Sequence, residues 1–209
     1  MATDELRRYF EHKRPLGAIA LIVFGAIILM LGILARGGYV WKFAGLGVTA
    51  LGIYLTVKFG ANCSDSTVDN YCADLANKYY AAKKTAVDSQ KTVSDTICSC
   101  GYCFENIFSA RRAVRGRDNI WRSSIFEMSC MFFSEETVYY CNEKISLITD
   151  EKNEKQSDFK LRDIQMVSLE EKNRSWVVSV VIPGNKNVYI NCKNKEEATN
   201  LCDRLKEKV

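Results

Sequence analysis

The chain has 209 residues, 29 lysines and arginines against 25 aspartates and glutamates, a formal charge of +4, nine cysteines and one histidine. So small a basic excess excludes a long nucleic-acid-binding stripe, and no nucleic-acid partner is expected. The single histidine, His12, lies beside the first apolar run, so no serine or cysteine farther along has an imidazole base, and no glycine-rich phosphate loop with its lysine occurs. Without these constellations the chain reads as noncatalytic, with no cofactor.

Charge is unevenly spread. Residues 1–122 carry sixteen basic and ten acidic groups, whereas residues 123–209 carry thirteen and fifteen. Positive charge therefore gathers in the first part, which is also the apolar part. Leu16 to Ala35, LGAIALIVFGAIILMLGILA, has no charged residue. At ~1.5 Å per residue such a run matches a hydrocarbon core of roughly 30 Å. A second run, Val40 to Val57, contains only Lys42, near one end, where its amine can reach the headgroups. A secretory signal has a shorter apolar core, about 7–15 residues, and is not followed at once by a second apolar run, so two retained spans are expected.

Only Arg36, Gly37, Gly38 and Tyr39 separate the runs, which predicts an antiparallel transmembrane hairpin. Arg7, Arg8, Lys13 and Arg14 precede it and Lys58 follows, against Arg36 in the turn, a bias that places both termini in the cytoplasm of a multi-pass cell-membrane protein. Ala18, Gly25 and Gly32 in the first span and Gly45 and Gly52 in the second recur every seven residues. Such stripes let helices approach closely, closing the hairpin on itself or seating another membrane protein or a second copy.

Residues 61–122 are expected to be an amphipathic helical linker. Asp65 to Asp95 lacks proline and glycine, and Val68, Tyr71, Cys72, Leu75, Tyr79, Ala82 and Val87 recur mostly at helical spacing. Gly101 interrupts the pattern, and Phe104 to Arg115 predicts a shorter second helix. Arg111, Arg112, Arg115 and Arg117, followed by Trp121, form a basic run suited to anionic phospholipid, with the tryptophan at the interface. At the expected break between the helices lies TICSCGYC, with Cys98, Cys100 and Cys103. Cytoplasmic placement disfavours a stable disulfide, and a zinc site needs a fourth ligand, which Cys72 supplies only if the helices fold back. Packed thiols, metal ligation, lipid attachment and a redox switch all stay open.

From Ser124 the period shortens. SIFEMSCMFFS, TVYYC, KISLIT, Phe159 to Leu169, Ser175 to Ile182 and Asn187 to Asn191 read as strands, and DEKNEKQS from Asp150 to Ser157 as an exposed loop. Pro183-Gly184-Asn185 is turn chemistry. KEEATNLCDRLKEKV closes with a helix whose Ala198, Leu201, Cys202 and Leu205 share one face. Residues 123–209 are thus a small antiparallel barrel or sandwich with a terminal helix.

This order, and FKLRDIQMVSL, SWVVSVVIPGNKNVYINC and KNKEEATNLCDRLKEK in particular, resembles the pleckstrin-homology-like superfamily, including its bacterial and GRAM-type members. The resemblance implies a barrel that binds lipid or protein without catalysis, with seven strands where six are evident. It also implies phosphate binding by basic residues between the first two strands; the apparent equivalent here, Ser134-Glu135-Glu136, is acidic. The function expected is a noncatalytic membrane-anchored scaffold or accessory subunit, of α+β class, presenting this domain to a membrane-protein partner. The alternative is a sensor of anionic membrane using the arginine run.

Overall fold

The computed structural model describes residues 2–11, 16–34, 39–60, 63–149, 151–184 and 187–209. It is an α+β chain in two compact units, Glu11–Ser64 on one hand and Met1–Phe10 with Asp65–Val209 on the other. His12, Lys13, Arg14, Arg36, Gly37 and Gly38 lie outside the described residues.

The chain opens with a helix absent from the sequence expectation, α1 (Ala2–Glu11). The smaller unit follows as α2 (Leu16–Leu34) and α3 (Tyr39–Gly60). Gly25 meets Gly45 and Thr49, Gly45 meets Leu29, Gly52 meets Ile22 and the Ala18 carbonyl, and Gly32 meets Trp41. Ascending numbers on one helix match descending numbers on the other, so the two run antiparallel. A Cβ at Gly45 would lie 2.6 Å from the Leu29 amide nitrogen, so this packing requires glycine. Among the described residues only Gly17–Leu34 is long and apolar enough to cross a membrane by length and composition, a property that a signal sequence near the chain start shares.

The larger unit is built around two antiparallel sheets. After α4 (Asp65–Asp88) come β1 (Asp95–Tyr102), β2 (Ala113–Arg115), β3 (Trp121–Ser123), β4 (Ile125–Phe133), β5 (Thr137–Ser146) and β6 (Lys152–Lys160). A short 3-10 turn at Leu161–Asp163 leads to β7 (Met166–Lys172), β8 (Ser175–Val181), β9 (Val188–Cys192) and α5 (Lys195–Lys206). Strands β1-β4-β5-β6 form one sheet, β7-β8-β9 a second, and β2-β3 a separate hairpin.

Cross-strand register assigns the faces of the larger sheet. Ile97, Met131, Phe133, Val138 and Tyr140 turn inward and share a core with Val178, Val180 and Ile190 of the second sheet and Ala198, Leu201 and Leu205 of α5. Tyr102, Phe126 and Ile145 line the opposite face, as do Cys98, Cys130 and Cys141. α4 lies on that face, with Val68, Cys72, Ala76 and Tyr79 buried. Every residue of β4 is therefore buried, as its nearly unbroken apolar sequence requires.

Several sequence expectations are corrected. The expected helix at Phe104–Arg115 does not form; those residues make a loop and β2, because a twelve-residue helix has little stability of its own and Ala113–Arg115 pairs instead with Trp121–Ser123. TICSCGYC is not a turn between helices: Asp95–Tyr102 is a strand paired along its length with β4. No boundary falls at residue 123, since β1 lies before it and belongs to the same sheet. α4 stops at Asp88, short of Asp95. The expected loop at 150–157 is largely β6, whose lysines and other polar side chains suit an exposed edge strand. The Phe159–Leu169 strand is broken by the 3-10 turn, and TVYYC joins the start of KISLIT in β5.

Gly101 marks where the two sheets come together. A Cβ there would sit 2.9 Å from the Cys192 carbonyl oxygen on β9, and the backbone has no room to yield cheaply. We expect Gly101→Ala to destabilise the chain by about 1–3 kcal/mol, read as a lowered denaturant midpoint.

Candidate functional site

The basic run is placed by a buried arginine that sequence reading passed over. Arg122, on β3, is 1% exposed. Its Nε and Nη2 donate to Asp69 at 2.9 and 2.6 Å, and its Nη1 and Nη2 donate to Asp118 at 3.0 and 2.6 Å. Asp65 stands 3.9 Å away. Asp65 and Asp69 are four residues apart on α4, hence on one helix face. The Tyr102 hydroxyl donates to Asp69 at 2.7 Å, the Tyr9 hydroxyl to Asp65 at 2.7 Å, and the Arg117 amide also to Asp65 at 2.7 Å. One guanidinium thus gathers α1, α4, β1 and the β2-β3 hairpin.

This knot fixes what the hairpin displays. Asn119, with φ 64°, takes the left-handed conformation that turns the chain from β2 into β3. Arg112, Arg115 and Arg117 are exposed around it, and Ile120 at its tip is 54% exposed. Arg111 is also exposed, but its guanidinium donates to the Phe104 carbonyl and holds the preceding loop. Trp121 is half-buried, with the Arg174 guanidinium 4.1 Å from its ring centre. The structure therefore brings the five expected membrane-contact residues onto one hairpin and its approach, as strand and turn rather than helix. The connection between the first two strands of the larger sheet is residues 103–124; acidic Ser134-Glu135-Glu136 instead joins its second and third strands, β4 and β5.

A second polar cluster closes one end of the core. Glu127 is 1% exposed and accepts from the Asn142 amide at 2.6 Å and from the Asn191 amide, with Lys144 3.4 Å away. Lys144 also pairs with Glu105 at 2.9 Å, and Lys172 with the same carboxylate at 3.3 Å. Burial pushes the Glu127 carboxyl above its ordinary range. Burial works to lower the Lys144 amine, but the nearby carboxylates outweigh it and keep it charged. A cavity of about 110 Å³ lies above, lined by Lys144, Lys155, Lys172, Tyr189 and others. Its charges largely satisfy one another, and the cluster braces the end of the barrel.

The three clustered cysteines separate. Cys98 and Cys100 lie on the α4-facing side of β1, whereas Cys103 follows the strand, buried, its amide bonded to the Ile125 carbonyl. Among the described residues no group of three or more histidine, cysteine or carboxylate side chains is arranged to hold a metal. Cys98 instead meets Cys130, its cross-strand partner, sulfur to sulfur at 3.2 Å, and Cys141 faces Cys130 from the other side. The five small residues of the membrane stripes, Ala18, Gly25, Gly32, Gly45 and Gly52, all fall at the α2-α3 contact.

No family model, curated protein or solved structure matches the chain. Its class rests on its own geometry: an α+β protein with an apolar helix of membrane-spanning length and a two-sheet unit carrying an exposed arginine hairpin.

Arg122, Tyr9 and the two α4 aspartates were not singled out in the sequence. Asp65 and Asp69 at helical spacing, together with the turn chemistry of Gly116-Arg117-Asp118-Asn119, were the available signal. Removing the arginine would leave the half-buried Asp65 and Asp69 and the exposed Asp118 without their cation, so Arg122→Leu should cost about 2–3 kcal/mol, measured by chemical denaturation.

The same knot is acid-sensitive. The Arg122 hydrogen bonds hold the Asp118 carboxyl down at about 2. Burial works to raise Asp69, but Arg122 and Tyr102 outweigh it and keep it below the ordinary range. Both folded pKa values lie under the unfolded value of about 3.9, so the stability they contribute is fully present above that value and is lost as pH falls towards 2. Thermal unfolding followed between pH 5 and 2 should show this loss, and Asp118→Asn should make it shallower.

Proposed function

We propose that the chain is a noncatalytic membrane-anchored binding protein. In this reading α2 and α3 form a two-pass hairpin, α4 carries a pleckstrin-homology-like domain, and the β2-β3 hairpin touches an anionic phospholipid surface in the cytoplasm. The composition of the larger unit supports the two-pass hairpin. Met1–Phe10 and Asp65–Val209 fold together, with Tyr9 bonded to Asp65, so the segments flanking α2 and α3 share one compartment. A chain that enters the bilayer through α2 then returns through α3. Cleavage after α2, as for a signal sequence, would remove α1 from the unit it helps to build. Phe24, Met30 and Leu31 on α2 and Phe43, Leu46 and Tyr54 on α3 are all more than half exposed, a surface suited to lipid and costly in water.

The domain reading is supported by the order of the strands. Apart from the inserted β2-β3 hairpin, seven strands divide four and three between two antiparallel sheets, each strand following its neighbour, and a C-terminal helix packs on the second sheet. That arrangement fits what the resemblance implies, with β1 and β6 completing the seven strands.

The observation that carries the function is the hairpin itself: three exposed arginines flank an exposed isoleucine on a turn whose base is fixed by the Arg122 knot. Guanidinium groups pair with phosphate while an apolar tip enters the headgroup boundary. A scaffolding role towards a membrane protein would use the outward faces of α2 and α3, because the small-residue stripes are engaged with each other.

The full chain in nanodiscs tests this. Amide hydrogen exchange over residues 113–121 should slow when phosphatidylserine replaces part of the phosphatidylcholine. The triple variant Arg112→Gln, Arg115→Gln, Arg117→Gln should abolish the slowing, each arginine contributing about 1 kcal/mol near an anionic surface. Equal exchange in neutral and anionic discs would overturn the membrane-contact reading.

A further inference from the structure

We propose that Cys98 and Cys130 form a peroxide-sensitive thiol pair, a site of reversible disulfide formation between β1 and β4. Three independent features of the geometry meet there: register, sulfur separation and access.

The two residues are directly opposite in an antiparallel pair, where Cα atoms stand roughly 4.5–5.5 Å apart, within the range that a disulfide spans. Their sulfurs are 3.2 Å apart, so small side-chain rotations bring them to bonding distance without moving either strand. Cys130 is fully buried, but Cys98 is only half-buried. Cys98 lines a groove of about 310 Å³ between β1 and the start of α5, together with Ser99, Asn194, Glu197 and Arg204. Of the pair, Cys98 is therefore the residue nearer to solvent.

That asymmetry assigns the roles. Cys98 is the attacking thiol, and its acidity fits the part: the hydrogen bond shared with Cys130 draws the Cys98 thiol below its ordinary range, against burial, with a smaller contribution from Lys84. The same shared bond and burial push Cys130 up, which suits a resolving thiol that stays protonated until its partner is oxidised. With hydrogen peroxide as oxidant, the Cys98 thiolate attacks one peroxide oxygen, the O–O bond breaks, and hydroxide leaves, giving a sulfenic acid at Cys98. Cys130 then attacks that sulfur, the S–O bond breaks, and the sulfenic oxygen leaves as water as the Cys130 proton is lost. In sum, two thiols and one peroxide give one disulfide and two waters. A dithiol reductant returns both thiols by exchange.

Cys141 is the competing partner for Cys130, being its neighbour on β5. The 3.2 Å contact is with Cys98, and Cys98 is less buried than Cys141, so the disulfide forms towards β1.

The full chain in detergent or membranes, treated with substoichiometric peroxide and then alkylated, gives the test. Trypsin places Cys98 in the peptide Thr92–Arg111 and Cys130 in Ser123–Lys144, so fragment spectra are needed to locate the bond. The expected product is these two peptides joined through Cys98 and Cys130, two hydrogens lighter than their sum, and separated by dithiothreitol. In Cys130→Ser, labelling of Cys98 by dimedone should rise several-fold, because the sulfenic acid loses its resolving thiol. A bond between Cys130 and Cys141, a bond using Cys100 or Cys103, or unchanged alkylation of Cys98 after peroxide would each overturn the proposal. The wild-type peptide map decides among these even where a variant folds poorly.

Discussion

The larger unit depends on covering the outer face of one sheet. Phe126, Met128, Cys130 and Phe132 form an apolar row along β4, on the side away from the barrel core, and no sheet leaves such a row in water without cost. α4 covers it, yet α4 is a polar helix with only Val68, Cys72, Ala76 and Tyr79 buried. Apolar contact of that extent holds a helix down but does not fix where it lies. The Arg122 fork does, because two bidentate carboxylate pairs have direction as well as strength. Lys83, paired with Glu154 on β6, holds the other half of the helix against the far edge of the same sheet.

Inside the barrel the core is graded rather than uniform. Towards Ile97, Met131 and Phe133 it is wholly apolar. Towards Ser99, Ser129, Asn142 and Glu127 it becomes a hydrogen-bonded polar end, with Asn142 donating to both Glu127 and Ser129. A buried carboxylate is tolerated only where each oxygen has partners. Asn142, Asn191 and Lys144 supply them, and Glu105 passes the remaining charge to Lys172 near the surface. Gly101 and Ser99 bring β1 against β9 beside this end, the serine hydroxyl donating to the Asn191 carbonyl at 3.0 Å. Closure of the two sheets and satisfaction of the polar cluster are therefore one event.

Elements with strong periodicity were legible in the sequence: the apolar helices, most of α4, β4, β8 and α5. β1 was not, because Cys98, Cys100 and Gly101 lack the β-branched and aromatic character that marks strands, and one of its faces is read only once α4 lies on it. Phe104 to Arg115 imitated a helix through chance spacing, while the information that decides it sits in the turn at Asn119 and in the partner strand at Trp121. β6 was hidden by its charge, which belongs to an exposed edge. For the site, the arginines and Trp121 were legible as a basic run, but their order on a hairpin was not. Arg122 looked like one more basic residue, since burial is a property of three segments meeting and not of any one of them. The pairing of Cys98 with Cys130 is likewise a matter of register, across more than thirty intervening residues.

α4 also ties together two features that the sequence keeps far apart. Its first turns fix the arginine hairpin through Asp65 and Asp69, and Tyr79 and Tyr80 lie close to the thiols of the outer sheet face. The Tyr79 hydroxyl is buried without a hydrogen-bond partner among the described residues, whereas the Tyr80 hydroxyl faces the Cys100 thiol. A bond between Cys98 and Cys130 joins two residues already paired in register, so it leaves the strand pairing as it is. α4 is thus held by ion pairs towards both ends, Asp65 and Asp69 with Arg122 at one and Lys83 with Glu154 at the other.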